Sequence, residues 1–503
     1  MKRLLAIFIM ICLLAGCGSE YDAYVPTGDG FLGNDGNSSQ IQTNSNLRLP
    51  YDQNSPLHPY TATDLNNRSL LSLVYQGLFA IDDDFEITPM LCRSYSISMD
   101  MREWRFYLDD ATFSDGQQIT VADAVASLNA ANEEGFYAGR FQWVQSITAG
   151  DDNSVVFSLK TPMNNLPLLL DVPIIKASEL ETAVPLGTGP YIIEETPTGK
   201  QLRRQAAWWC NVTLPVNALT IPLDHGKTQS ELWDLYKFSG SSMVCTDTYV
   251  DFRSDYELWE SENGIFIYLT CNMNSEVFSD PTMRNALTFA IDRDLLVKKY
   301  YRGFAHSATL PASPSFPHYS TPLAERYVYQ PERFAQAVAE TGNTGKSITL
   351  IVNPEDPVRA RAAKAVAEML TAGGLNVVIP ESSNANYYFR LTEGFYDLAL
   401  GQTKLSPNMD LSAFFNEEGS LNYGKIADVT MYAQCMDALA HNGNYQSLHK
   451  LVMDDGRLCP VLVRSDAIYG RRGYFPGLSP ARDSIFHYTL GKSMEDALIT
   501  EEK

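Results

Sequence analysis

Between Ser347 and Pro380 the sequence leaves the backbone little choice. Residues 348–352 are an apolar, β-branched run of strand length, and Asp356 followed by Pro357 is a helix N-cap with proline at the first helical position. Ala362, Ala365, Val366, Met369 and Leu370 then recur at helical spacing, Gly373 and Gly374 stop the helix, and residues 375–379 are a second strand. A strand, a helix and a strand in that order imply a parallel pair joined by a right-handed crossover, hence an α/β lobe in the second half of the chain. Asp280 and Pro281 start an earlier helix in the same way, with Met283, Ala286, Leu287, Ala290 and Ile291 facing inward. Asp292 and Asp294 re-cap the chain before Leu295 and Leu296, and Gly303 closes that segment.

With 503 residues the chain exceeds one ordinary domain, and about three compact units are expected. Hydrophobic residues at 45% against 19% charged give enough apolar surface for a sizeable core, which excludes a disordered chain. The formal net charge of −22 repels nucleic acid and anionic lipid surfaces, so neither is expected as a partner.

Lys2 and Arg3 followed by an apolar run over residues 4–14 read as an export signal, since about 20 apolar residues are needed to span a bilayer. Leu14, Ala15, Gly16 and Cys17 resemble the bacterial lipobox, which implies cleavage after residue 16 and a lipid on the Cys17 thiol. Loss of Lys2 and Arg3, the charged residues of the leader, takes the net charge from −22 to −24. Residues 18–45 are rich in Gly, Ser, Asn, Asp and Thr and read as a flexible tether. Cys92, Cys210, Cys245, Cys271, Cys435 and Cys459 follow; buried thiols and disulfides are both open to them, and none forms a C-x-x-C pair.

Along the body, residues 46–50 suggest an opening strand. Leu71, Val74, Tyr75 and Leu78 fall on one helical face and predict a helix ending near Gly77. Residues 81–110 alternate in the manner of antiparallel strands, residues 113–116 make a turn, and Thr120 with Asp123 has the spacing of a capping box ahead of Val121, Ala124, Val125 and Leu128. The stretch 185–191 carries two glycines and two prolines before a strand beginning at Tyr191. Gly187 and Gly189 there permit dihedrals that other residues resist, as suits a crossing between lobes.

The chemistry of catalysis is missing. Gly226, Lys227 and Thr228, and again Gly345, Lys346 and Ser347, are near misses of a phosphate-binding loop, but Ile221 and Glu340 stand where its first glycine belongs. There is no H-E-x-x-H and no G-x-S-x-G, and His441 and His449 lack ligand spacing. No catalytic residue, metal site or cofactor is expected.

Four landmarks, taken in order, resemble the family 5 extracellular solute-binding proteins, the peptide- and nickel-binding receptors of ABC importers. They are residues 74–78, residues 113–125 with the turn and the Thr120 cap, Gly187 to Tyr191, and residues 283–293 followed by Gly303. The resemblance covers about residues 46–490. It implies an α/β, bilobal, periplasmic-binding-protein-like fold of the large type, hinged between lobes. Lobe I would comprise residues 46–66, 186–268 and 468–503, an inserted domain residues 67–185, and lobe II residues 269–467.

The implied function is a lipid-anchored, non-enzymatic receptor. It would capture a small solute, a peptide or similar amide, by hinge closure and deliver it to importer permease subunits outside the cell membrane. It would act as a monomer that touches the membrane only through its lipid. Receptors for nickel chelates or oligosaccharides, a sensor without import, and a cell-envelope hydrolase are the alternatives. After the strand at residues 396–400, peptide receptors of this family carry a Trp and an acid that pairs with the ligand's amino terminus. Here Gln402 and Lys404 occupy that loop, and a cation does not bind an ammonium group, which leaves Asp410 as the substitute acid. The family layout places Gln402, Lys404, Asp410, Asn272 and Tyr423, the last within residues 420–424, in the cleft wall. Amides, a cation and a phenol suit a ligand with a carboxylate or carbonyl groups. Replacing Cys17 with Ala is expected to move the protein from the membrane fraction to the medium; unchanged membrane retention overturns the lipid anchor.

Overall fold

The computed structural model describes residues 47–205, 208–210, 220–246, 255–423 and 428–486. The leader, Cys17, the tether at 18–45, Asn46 and Gly424 lie outside the described residues.

Among the described residues the strands form four sheets. The chain opens with β1 (Leu49–Asp52), and β2 (Phe79–Ile81) pairs with β3 (Ile87–Pro89) as a short ribbon. Then β4 (Cys92–Ile97), β5 (Glu103–Leu108), β6 (Val144–Ala149) and β7 (Ser154–Leu159) build an antiparallel sheet in the order β4-β5-β7-β6. The strands β8 (Tyr191–Thr196), β9 (Gly199–Arg204) and β10 (Thr220–Gly226) form an antiparallel meander that β1 extends in parallel, Leu49 opposite Leu223. The remaining seven are β11 (Met243–Thr246), β12 (Glu257–Cys271), β13 (Ala305–Ser307), β14 (Ser347–Val352), β15 (Asn376–Val378), β16 (Leu398–Lys404) and β17 (Leu458–Gly470). They share one sheet in the order β11-β17-β12-β16-β14-β15, with β13 on β17.

The β-α-β expectation holds. β14 and β15 pair in parallel, and the helix Pro357–Ala372 between them starts at Asp356, whose carboxylate accepts from the Arg359 amide at 2.9 Å. The turn at 113–116 and the helix caps hold for the same reason, that their physics is contained within a few residues. The Phe113 carbonyl accepts from the Gly116 amide at 2.9 Å. Thr120 Oγ1 accepts from the Asp123 amide while Asp123 accepts from the Thr120 amide, a complete capping box for the helix Val121–Glu133. Asp280 and Asp292 cap the helices Pro281–Ala290 and Arg293–Lys299. Of the cysteines, Cys92, Cys245, Cys271, Cys435 and Cys459 are buried free thiols, which decides against a network of disulfides among them.

The helix expected to run to near Gly77 ends earlier. It spans Leu65–Leu71, capped by Asp64, and Leu71, Val74, Tyr75 and Leu78 are all buried although only Leu71 is helical. A longer helix would have claimed the carbonyls of Leu73 and Val74 for its own amides. They are used elsewhere: Val74 accepts from the Gly189 amide at 2.9 Å and Leu73 from the Tyr191 amide at 3.1 Å. The glycines of the 185–191 stretch serve this contact by closeness, not by unusual dihedrals. Neither Gly187 nor Gly189 has positive φ. A Cβ on Gly187 would stand 2.1 Å from the Val74 oxygen, and one on Gly189 2.6 Å from the Val74 carbonyl carbon. Both indoles of Trp208 and Trp209 then donate to the Thr188 carbonyl, at 2.8 and 3.0 Å.

Gly187→Ala should therefore cost about 1–3 kcal/mol in urea denaturation, the cost of forcing a methyl group into a packed interior. Gly443→Ala, where a Cβ meets nothing within 4 Å, should change stability by less than about 1 kcal/mol. Equal effects from the two would contradict the close-approach reading.

Candidate functional site

The expected loop after Leu400 is strand. β16 continues to Lys404, with Gln402 opposite Ile267 and Lys404 opposite Ile265 on β12, so Gln402 and Lys404 share a face of the strand two residues apart. Gln402 is exposed. Lys404 ends the strand beside a group of charges drawn from segments far apart in the chain.

At the centre of that group is Asp483. It stands at the tip of a tight turn in which Ala481 and Ser484 exchange backbone hydrogen bonds at 3.2 Å, and its φ of +63° is one that Asp adopts more readily than most residues. Its Oδ1 accepts from Arg68 Nη2 at 2.7 Å and from Lys404 Nζ in a short ion pair. Around Oδ2 lie Arg482 Nε at 3.7 Å and Arg140 Nη2 at 3.9 Å, too far for hydrogen bonds. The Asp483 side chain is 4% accessible.

Local structure fixes each cation. Arg68 lies in the last turn of the helix Leu65–Leu71, with its guanidinium carbon 3.6 Å from the centre of the Phe136 ring; Lys404 Nζ stands 4.2 Å from the same ring centre. The loop carrying Phe136, Tyr137 and Arg140 is tied down by the Phe136 amide on the Tyr60 carbonyl (2.7 Å) and the Phe141 amide on Asn132 Oδ1 (2.9 Å). Arg140 makes a short ion pair with Asp171 and stands 5.0 Å from the Tyr137 ring centre. Arg482 donates through Nη2 to the Leu405 carbonyl, and its guanidinium lies where a side chain on Gly264 would be, at φ +71°. This glycine sits in a bulge of β12, where pairing with β17 slips between Glu262 and Phe266.

Two small cavities adjoin the turn and share Arg68 and Asp483. One, of about 40 Å³, is lined also by Tyr75, Tyr137, Asp171, Arg482 and Ser484. The other, of about 10 Å³, is lined also by Glu262 and Asp466.

The electrostatics follow from this crowding. Desolvation of the ammonium end pushes Lys404 down to about 7 although 30% of its side chain stays accessible; the Asp483 charge opposes the shift, and those of Arg68 and Arg482 add to it. Burial alone would raise Asp483, but Lys404, Arg68, Arg482 and Arg140 outweigh it and hold the carboxyl well below the usual range. Asp466 accepts from Asn263 Nδ2 at 2.8 Å, and burial outweighs that bond and the charges of Arg68, Arg464 and Lys404 and pushes it up to about 6. Glu262 is also raised by burial, its Oε2 held by Ser313 Oγ at 2.5 Å.

The other residues singled out in the sequence stand apart from this group. Asp410 accepts from Gln142 Nε2 at 2.9 Å and Trp143 Nε1 at 2.6 Å, and its second oxygen takes the Ser412 amide. Its charge is thus committed to fastening residues 142–143 to residues 410–412. Asn272 lies away from the Asp483 group. It follows the end of β12 opposite Leu398, roughly 20 Å along the sheet from Lys404, and its amide donates to the carbonyls of Gly394 and Tyr396 at 2.8 and 2.7 Å. That is a loop-fastening role. Tyr423 is half-buried and packs with Ile351, Tyr387 and Tyr396. Arg68, Arg140, Asp171, Arg482 and Asp483 carry no motif that marks them in the sequence. No spacing joins them, and the one signal was negative, a lysine where the resemblance expects an acid.

What the arrangement can do is hold a carboxylate. Four cations from four separate segments converge on one, and a fixed ring of charge-assisted donors is the usual means of recognising an anion.

Residues 86–420 match the family described as bacterial extracellular solute-binding proteins, family 5 Middle. The glutathione-binding protein GsiB of Escherichia coli (strain K12) is 26% identical over 314 residues, 58% of this chain and 61% of that relative's length. Among solved structures, the ABC transporter substrate-binding protein CtaP of Listeria monocytogenes superposes with a TM-score of 0.71 at 18% identity, over 88% of this chain and 97% of the other. The unliganded open form of the periplasmic murein tripeptide-binding protein MppA gives 0.73 at 16% identity, over 88% and 97%. The α/β bilobal fold is therefore shared with these proteins.

The raised Asp466 carboxyl gives a signed pH effect. Between about pH 4 and 6 the folded state holds a proton that the unfolded chain has lost, so this group's stabilisation is full below about 4 and lost as pH rises through 6. Asp466→Asn should thus gain stability relative to wild type by up to about 3 kcal/mol on going from pH 4 to pH 7.5 in urea denaturation. A difference that does not change with pH contradicts the assignment.

Proposed function

The chain belongs to the bacterial extracellular solute-binding proteins of family 5, and from that premise we propose that it is the receptor of an ABC importer, capturing a peptide or peptide-like solute that carries a carboxylate. The observation that carries this reading is the convergence of Arg68, Arg140, Lys404 and Arg482 on Asp483, with Arg68 and Arg482 lining a cavity beside it. Relatives named for glutathione and for a murein tripeptide support a peptide as the solute class.

In the proposed layout lobe I holds residues 46–66, 186–268 and 468–503, the inserted domain residues 67–185, and lobe II residues 269–467. Arg482 and Asp483 then belong to lobe I, Arg68, Arg140 and Asp171 to the inserted domain, and Lys404 to lobe II. A solute carboxylate bound among them would touch all three at once, which couples its affinity to closure of the lobes. No helix among the described residues is long and apolar enough to cross a membrane. The proposed attachment is a lipid on Cys17, leaving the receptor facing outward as a monomer beside the permease subunits. Catalysis has no part in this reading.

Native mass spectrometry of freshly purified protein should show a retained small-molecule mass that is released on denaturation. With that compound restored at saturation, small-angle scattering should report a smaller radius of gyration. A scattering curve unchanged by a bound ligand would falsify closure, and a carboxylate-free ligand would overturn the recognition scheme.

A further inference from the structure

Asp483 is surrounded in the way a ligand would be. It reaches the cations from the tip of a two-residue turn, its carboxylate is nearly inaccessible, and it takes charge-assisted bonds from Arg68 and Lys404 through one oxygen only. The cations are not used up by it. Arg482 is 5% exposed, yet its Nε and Nη1 have no hydrogen-bond partner, and neither have Asp483 Oδ2 and Ser484 Oγ at the same cavity. A buried guanidinium with two unmatched donors is costly and is normally satisfied in a native protein. The cavity of about 40 Å³ beside it has room for a carboxylate group or about three waters. The charges lining this space are Arg68 and Arg482 against Asp171 and Asp483; Lys404 and Arg140 adjoin it through their ion pairs with Asp483 and Asp171, and Asp466 and Glu262 line the smaller cavity with Arg68.

We propose that these four cations form a carboxylate-binding subsite that Asp483 fills from within the chain, as a stand-in for the carboxylate of a solute. The inference deepens the receptor reading and rests on it for the meaning of the solute. The subsite itself can be tested without any solute. A ligand carboxylate would enter by taking over the bonds of Asp483 to Lys404 and Arg68 and by supplying the missing partner of Arg482. Solutes without a carboxylate could not displace the stand-in, so the turn would act as a filter as well as a plug.

Asp483→Gly removes the equivalent of one acetate ion and suits the positive φ of the position. The variant should melt at a lower temperature than wild type. Sodium acetate at ~100 mM should restore several degrees, whereas sodium chloride of the same ionic strength, which screens the cations equally, should not. Wild type should show no acetate effect beyond that of chloride, its subsite being filled. Adding Arg68→Met and Lys404→Met to Asp483→Gly should abolish the rescue. If Asp483→Gly does not fold in chloride, refolding in acetate should yield folded protein. The proposal is overturned if acetate and chloride act alike on Asp483→Gly, if wild type responds to acetate as strongly as the variant, or if rescue survives loss of Arg68 and Lys404. Because acetate is the probe, failure to find an imported solute leaves this result standing, and failure of rescue leaves the importer reading standing.

Discussion

A carboxylate taken out of water must be matched by charge and hydrogen bonds or it costs several kcal/mol, and the Asp483 side chain is almost wholly out of water. Much of the surrounding architecture serves that match. The short helix Leu65–Leu71 delivers Arg68, the pinned loop after the helix Val121–Glu133 delivers Arg140, the end of β16 delivers Lys404, and the bulge at Gly264 makes room for Arg482. The same principle explains the neighbours. At Asp466 and Glu262 burial outweighs the nearby cations, and both hold their protons more tightly.

What could be read from the sequence was what neighbouring residues decide among themselves. The caps at Thr120, Asp280, Asp292 and Asp356 and the β-α-β unit depend on contacts a few residues apart, and all are present. The helix predicted to reach Gly77 failed because the carbonyls of Leu73 and Val74 bond Tyr191 and Gly189, more than a hundred positions later. Burial at Val74, Tyr75 and Leu78 was anticipated correctly, but periodicity alone could not tell a helix from a docking surface.

The site shows the same division more sharply. Lys404 could be singled out because it stands where the family resemblance leads one to expect an acid. Its counter-ion Asp483 is 79 positions away, and that carboxylate's other partner, Arg68, is 415 positions away. No spacing rule reaches so far. Asn272 does not join Lys404 for a geometric reason, since β12 and β16 run antiparallel and carry the two to opposite ends of the same pair of strands. Asp410 was recognised as an acid near the cleft but is bound by Gln142 and Trp143, which only the tertiary fold brings to it.

The placement of β17 has a kinetic consequence. The sheet β4-β5-β7-β6 is complete within residues 92–159 and can form from local encounters alone. By contrast β12 pairs with β17 almost 200 residues later, and among the described strands β11 has β17 as its only neighbour in the order of the sheet. Long loops close slowly, so a chain folding from its N-terminal side would hold β11 and one edge of β12 bare until residues 458–470 arrive. The turn bearing Asp483 lies just beyond them. Assembly therefore ends with its carboxylate reaching the cations, and truncation before residue 458 would leave sheet edges open to pairing with other chains.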